Sequence, residues 1–117
     1  MANPNIVNVS TINGKTDVFA LTTASANLVT ATANTVFKIN SIMIANIDGT
    51  NAADVTINYY DGSDSRAIAN TISVPADATL AVIDKNNSFY LEENEIIQSF
   101  ASANSDLECI VSYEIIS

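Results

Sequence analysis

The side chains of this 117-residue chain that could do chemistry are mainly carboxylates. Three groups are spaced closely enough to suggest a cation site, namely Asp48 with Asp54, Asp61 with Asp64, and Glu92-Glu93 with Glu95. Calcium takes about six to eight oxygen ligands, commonly from neighbouring loop carboxylates and carbonyls. None of the three groups follows the EF-hand loop pattern, and turn chemistry on a solvated surface explains all of them. We therefore predict no metal site and no cofactor.

The sequence offers no set of residues suited to catalysis. Histidine is absent, which excludes Ser-His-Asp and Cys-His nucleophile systems and removes the commonest transition-metal ligand. A glycosidase needs two carboxylates across a cleft, whereas Glu108 and Glu114 share the exposed parity of one predicted strand. The glycines, Gly14, Gly49 and Gly62, stand in isolated turns and form no phosphate loop. We predict that the chain is not an enzyme and has no catalytic residues.

Cys109 is the single cysteine, so the chain can form no internal disulfide. It shares the apolar parity of the last predicted strand with Leu107, Val111 and Tyr113. A free cysteine in such a position behaves as a small hydrophobe. The sequence therefore predicts a buried thiol that takes no part in chemistry.

The charge of the chain excludes several classes of partner. The formal net charge is −9, and the cations are Lys15, Lys38, Arg66 and Lys85. Nucleic-acid binding depends on clustered cations that displace phosphate counterions, so we predict no nucleic-acid partner. No apolar run reaches the roughly 18 residues of a membrane helix, and the N-terminus has no secretory signal pattern. We expect a protein made in a cytoplasm that does not bind a membrane.

Alternating apolar residues predict strands throughout the chain. The clearest stretch is 36–60, which we interpret as a long β-hairpin with its turn at Asp48-Gly49-Thr50-Asn51. In its first arm one parity carries Phe37, Ile39, Met43, Ala45 and Ile47, and we predict that this face packs against the core. A second hairpin is predicted around Asn13-Gly14, a dipeptide favoured in type I′ turns.

The remaining predicted strands lie at about 27–31, 67–74, 79–83, 89–91, 95–101 and 107–116. Together these give about eight or nine strands, with turn signals at the spacing typical of all-β sandwiches and barrels. We predict one domain over residues 1–117, an antiparallel β-sandwich of jelly-roll or immunoglobulin-like topology.

Two strands have apolar residues on both faces. Ile42 and Ile44 lie on the second parity of the first hairpin arm, and Ile110 and Ile116 lie on that of the last strand. A strand with one face in water does not need them. Either a loop covers these strands, or the residues form a subunit interface of a homo-oligomer.

Residues 1–11 are a second segment that the sequence predicts to contact another subunit. The segment carries Ile6, Val7 and Val9 but alternates imperfectly. As an alternative to the hairpin around Asn13-Gly14, we interpret it as an N-terminal arm that adds to the sheet edge of a neighbour.

Three segments resemble small virion structural proteins of tailed bacteriophages, especially phages of marine cyanobacteria. They are VFKINSIMIANIDGTNAADVTINYYD, TISVPADATLAVIDKNNSFYLEENEIIQSFAS and LECIVSYEIIS, and they cover about the last two-thirds of the chain. Asn94 stands where these proteins usually have a glycine after the acidic pair. These segments are structural, and none contains a defined site.

The resemblance implies a non-enzymatic virion component present in many symmetric copies. The resemblance first implies that the chain is a decoration or cement protein, which bridges major capsid proteins and stabilises the shell. The alternatives are a tail, neck or fibre-associated subunit contacting tail proteins, or a host-glycan-binding module built on tyrosines. The lack of tryptophan argues against the glycan module, and Tyr59 and Tyr113 lie on core parities.

Overall fold

A computed structural model describes residues 3–117, which fold into nine β-strands. The strands are β1 (Ile12–Ala20), β2 (Ala26–Thr30), β3 (Val36–Asn46), β4 (Ala53–Tyr60), β5 (Ser65–Val74), β6 (Thr79–Ile83), β7 (Phe89–Leu91), β8 (Ile96–Ala101) and β9 (Leu107–Ile116). Within residues 3–117, no helix has the length and apolarity needed to cross a membrane.

The strands form two antiparallel sheets that pack face to face. The first sheet has the order β1-β9-β3-β6, with β7 pairing beside β6 on β3, and the second has the order β2-β8-β4-β5. If β6 and β7 are taken as one interrupted strand, β1 pairs with β9, β2 with β8, β3 with β6 and β7, and β4 with β5. This nested order is that of a jelly roll. The predicted β-sandwich is confirmed, and of the two topologies the strand order fits the jelly roll.

The predicted long hairpin over 36–60 is wrong. β3 belongs to the first sheet and β4 to the second, so the two strands do not pair. The loop between them is a crossing between sheets, in which Asp48 Oδ1 accepts hydrogen bonds from the amides of Thr50 (2.8 Å) and Asn51 (3.3 Å). Turn-forming residues mark where the chain changes direction, but they do not determine which sheet the next strand joins.

The second predicted hairpin is wrong for a similar reason. Asn13 and Gly14 lie inside β1, opposite Ile115 and Glu114 of β9. β1 keeps one unbroken register with β9 along its whole length. A long partner strand therefore holds the Asn-Gly dipeptide in extended conformation against its local turn preference.

A β-bulge in β3 exchanges the two faces of this strand. The register with β9 shifts between Ile39 and Ser41, so one extra residue stands in β3. Ile39 points inward before the shift, whereas Ile42 and Ile44 point inward after it and have no exposed surface. Each extra residue moves all later side chains to the opposite face. The prediction that Met43 and Ala45 share the inner face with Ile39 is therefore wrong.

The core lies between the two sheets. Its largest side chains without exposed surface are aliphatic and come from both sheets: Ile39, Ile42, Ile44, Val55, Ile57, Leu91, Ile97, Leu107 and Val111. The rings of Phe37 and Tyr113 stack at 5.2 Å between centroids and extend this core along the first sheet.

The N-terminal segment folds back onto the first sheet of its own chain. The side-chain amide of Asn3 donates to Glu92 Oε1 (2.7 Å), and the amides of Ser10 and Thr11 donate to the Ser117 carbonyl at 2.7 and 3.0 Å. A cavity of about 310 Å³ lies between this segment and Val36 of β3. Val36 is buried, although it does not belong to the main core between the sheets. This segment therefore covers one end of the outer face of the first sheet.

Candidate functional site

The outer face of the first sheet carries a line of apolar side chains. Direct cross-strand pairing places four residues side by side across four strands, which we call the apolar row: Val18 (β1), Ile110 (β9), Met43 (β3) and Ala81 (β6). Val18 is 71% exposed and Ile110 is 46% exposed. Isolated exposed apolar residues are common on proteins, but a contiguous set is typical of an interaction surface.

A shallow groove runs beside the apolar row. It measures about 540 Å³ and is lined mainly by Val18, Phe19, Ala20, Met43, Ala45, Thr79, Glu108 and Ile110. On the other side of the row, the hydroxyls of Thr16 and Ser112 form a hydrogen bond of 2.8 Å. The surface is therefore apolar at its centre and polar at its margins, the usual composition of a protein interface.

Only one of the four predicted interface residues on the strands lies in the apolar row. That residue is Ile110, whereas Ile42, Ile44 and Ile116 are buried within the chain. The prediction is wrong for these three: the bulge turns Ile42 and Ile44 into the core, and Ile116 is buried directly opposite Val36. The alternative, a covering loop, is also wrong for Ile42 and Ile44, because both side chains face the core between the two sheets.

The predicted arm residues lie away from the apolar row. Ile6 lines the cavity beside Val36, Val7 is 91% exposed, and Val9 is half-buried. Of the rest of the predicted arm, Met1 and Ala2 lie outside the described residues. Polar rows containing Ser112 and Glu114 separate this segment from the apolar row. The structure thus gives two distinct exposed apolar regions, and contact of the arm with a neighbour stays a prediction.

The sequence reasoning missed Val18, Met43 and Ala81. Ile110 stands between Glu108 and Ser112 on β9, which is a signal that this parity faces outward. The residues beside Ile110 can be found only from the registers of β1, β3 and β6 with their neighbours.

Five of the seven carboxylates considered for cation binding accept hydrogen bonds within the described part of the chain, namely Asp48, Asp61, Glu92, Glu93 and Glu95. Asp61 Oδ1 accepts from the amides of Ser63 (2.9 Å) and Asp64 (2.7 Å), and these bonds lower the pKa of the Asp61 carboxyl. Glu95 Oε1 accepts from the Glu92 amide at 2.9 Å. Within residues 3–117, no three His, Cys, Asp or Glu side chains are placed to hold a metal ion. These carboxylates stabilise turns in the structure.

The two core-parity tyrosines are packing residues whose hydroxyls make hydrogen bonds within the chain. Tyr113 stacks on Phe37, and its hydroxyl donates to Asp17 Oδ2 at 2.6 Å. Burial, followed by this hydrogen bond, raises the pKa of Tyr113 above its usual value. Tyr59 packs near Phe89 and donates to Glu95. The ring faces of these two tyrosines are thus engaged in packing within the chain.

Burial of Cys109 is confirmed, because the residue has no exposed surface. Burial raises the pKa of its thiol from 9.0 to about 12. We expect a disulfide reagent at pH 8 to label the native protein at least about a hundredfold more slowly than the urea-unfolded protein, because the thiolate is the reactive form. Equal labelling rates for the native and unfolded chains would contradict the burial of this thiol.

The raised pKa of Cys109 also makes stability depend on pH. Unfolding above pH 9 releases the thiol proton, so the free energy of unfolding should fall as the pH rises from about 9 towards 12.

Comparison with known proteins identifies the fold but no family. No family model matches the chain, and no curated protein matches it. A solved structure of Bacillus endospore appendages, a novel family of disulfide-linked pili, matches with a TM-score of 0.55 and 15% identity over 92% of this chain and 87% of that chain. The acid-stable capsid structure of Helicobacter pylori bacteriophage KHP30 matches with a TM-score of 0.55 and 7% identity, over 94% and 90% of the two chains. At these identities the chain shares a fold with a pilus protein and with a phage capsid protein.

Proposed function

We propose that this chain is a non-enzymatic structural subunit of a bacteriophage particle, and specifically a decoration or cement subunit on the outer capsid. The observation on which this rests is the apolar row on the outer face of the first sheet. The row is exposed, contiguous and bordered by polar side chains, as expected of a surface that binds another protein. The fold shared with a phage capsid protein and the sequence resemblance to virion proteins support this choice.

The binding mechanism is stabilisation of the assembled shell. A subunit that binds the capsid lattice, but not free capsid proteins, stabilises the lattice by mass action. The net charge of −9 suits a solvent-exposed protein present at high local density, because like net charge limits non-specific association. The apolar row would then supply the specific contact with the major capsid protein.

The first test is the location and copy number of the chain in purified phage particles. Quantitative mass spectrometry with isotope-labelled peptides should give hundreds of copies per particle for a capsid decoration subunit. A tail, neck or fibre-associated subunit would be present in about six to eighteen copies, because such rings and trimers have low cyclic symmetry. Absence from mature particles would refute a virion role altogether.

The second test is the variant Ile110→Glu, which places a charge in the middle of the apolar row. We expect particles assembled with this variant to carry at least about tenfold less of the chain, because a charge in the centre of an interface must be desolvated. Ile72→Glu is the matched control: Ile72 lies in β5 of the second sheet and is 40% exposed, close to the 46% of Ile110. Equal incorporation of the two variants would exclude the apolar row as the contact surface.

A further inference from the structure

The edge strands of the two sheets differ in how well they could accept another strand. β2 is five residues long and has a register shift, and β5 has two shifts and a positive φ of 54° at Thr71. β6 and β7 form an edge interrupted by a turn. Bulges, interruptions and short length are the features by which proteins protect sheet edges. β1 lacks all three, because its nine residues pair with β9 without a shift.

The hydrogen bonds at both ends of β1 identify which backbone groups face the free edge. Thr11 and Ser117 exchange two hydrogen bonds of 3.0 Å, and the Leu21 amide donates to the Leu107 carbonyl at 2.9 Å. In an antiparallel ladder, alternate residues direct both backbone groups to the same neighbour. The odd-numbered residues of β1 therefore bond to β9, and Ile12, Gly14, Thr16, Val18 and Ala20 direct their amides and carbonyls to the free edge. Within residues 3–117, no strand occupies that edge.

We propose that β1 is a self-association edge, at which a second copy of this chain adds its own β1 in antiparallel orientation. The two-fold axis passes through the pair formed by Thr16 and its counterpart. In this register Ile12 lies opposite Ala20, and Gly14 lies opposite Val18. The whole strand is used, and every group that faces the free edge gains a partner. The interface is isologous, as in most homodimers.

The charges of β1 select this register. Lys15 of one copy lies opposite Asp17 of the other, and the same pair recurs across the two-fold axis. Both are non-hydrogen-bonded positions, where opposing side chains come closest. A register centred on Lys15 or on Asp17 would instead place like charges opposite each other. Lys15 is accessible for this exchange, since its side chain is 54% exposed and lies 3.7 Å from Asp17 in its own chain.

The pairing joins two first sheets into one continuous sheet. Because the two-fold axis is perpendicular to the sheet, the outer faces of both copies lie on the same side. The apolar rows of the two copies then lie on that same side but are offset along the strands, because Val18 of one copy pairs with Gly14 of the other. The proposal itself depends only on the β1 edge, and it holds whether or not the apolar row binds a capsid.

Charge complementation tests the register directly. The full chain should sediment as a dimer, with twice the 12.4 kDa mass of the monomer. Lys15→Asp and Asp17→Lys should each raise the dissociation constant at least about tenfold, because each places like charges opposite one another. An equimolar mixture of the two variants should restore the dimer, because the aspartate introduced at position 15 then meets the lysine introduced at position 17. Circular dichroism should verify that both variants are folded, since Asp17 also accepts a bond from Tyr113.

A backbone variant provides a second test that does not change charge. Thr16→Pro removes an amide that faces the free edge while it leaves the hydrogen bonds to β9 in place, so a folded monomer is expected. Thr16→Ala is the matched control, because it removes the same hydroxyl bond to Ser112 but keeps the amide, and it should remain dimeric. Three results would each overturn the proposal: a monomeric parent protein up to its solubility limit, dimeric Thr16→Pro, or folded charge variants that fail to complement. Ile110→Glu should leave the dimer unchanged, so failure of this proposal is distinguishable from failure of the proposed function.

Discussion

Ile44→Ala should lower the free energy of unfolding by about 2–5 kcal/mol, the range typical of replacing a buried isoleucine with alanine. Ile44 lies after the bulge of β3, has no exposed surface, and belongs to the core between the sheets. Removing its outer carbons both loses transfer free energy and leaves a cavity that the surrounding sheets can only partly close. Urea unfolding followed by circular dichroism measures the change as a shift of the midpoint at constant slope.

Met43→Ala is the matched control for this prediction, since Met43 is the neighbouring residue on the same strand. Its side chain faces outward and is only half-buried, so the expected loss is less than about 1 kcal/mol. A loss for Met43→Ala as large as that for Ile44→Ala would mean that the bulge is absent and that the strict alternation of the sequence holds. The difference in unfolding free energy between the two variants therefore tests whether β3 contains the bulge.

The bulge explains why the fold class could be predicted from the sequence and the faces of β3 could not. Alternation over a few residues predicts a strand wherever it occurs, and the last strand, Leu107–Ile116, matches its predicted bounds. Parity counted across eleven residues fails as soon as one extra residue enters the ladder. No residue type around Asn40 signals the insertion, because bulges accept most residues and depend on the partner strand.

Pairing between strands far apart in sequence was the second limit of prediction. The Asp-Gly turn after β3 and the Asn-Gly dipeptide in β1 are both typical of hairpins, yet neither makes one. In a jelly roll most partners are distant along the chain, so the local signal is overridden by contacts that the sequence does not display. The apolar row was hidden for the same reason, because its four residues come from four strands whose neighbours were unknown. Ile110 alone could be assigned from the alternation of its own strand.

The geometry of the turn at Asn94 was left open by the sequence and is settled by the structure. The sequence places asparagine where the resembling virion proteins usually have glycine, and Asn94 adopts a φ of 66°. Asparagine is among the non-glycine residues that best tolerate this left-handed conformation. Its amide donates to the Ala31 carbonyl at 2.9 Å, which ties this corner to the end of β2.

Asn46→Ala is the second substitution for which we expect a large loss of stability. Asn46 ends β3 where the chain crosses from the first sheet to the second, and it is 3% exposed. Its side-chain amide donates to the carbonyls of Val74 (2.9 Å) and Asn51 (3.0 Å), while its Oδ1 accepts from the Asp48 amide (2.9 Å). One side chain thus joins the end of β3, the crossing loop and the end of β5.

The expected cost of Asn46→Ala is on the order of 3 kcal/mol, because each buried backbone group left without a partner costs about 1–3 kcal/mol. Asn40→Ala is the control on the same strand. Asn40 is half-buried at the bulge, and its amide makes one long contact of 3.4 Å with Glu114, so we expect a loss below about 1 kcal/mol. Hydrogen exchange should report the same difference locally, with faster exchange of the Asp48 amide in Asn46→Ala than in Asn40→Ala. If the two variants unfold at the same urea concentration, Asn46 does not stabilise the loop that crosses between the sheets. The conformation of that loop must then come from the hydrogen bonds that Asp48 accepts from Thr50 and Asn51.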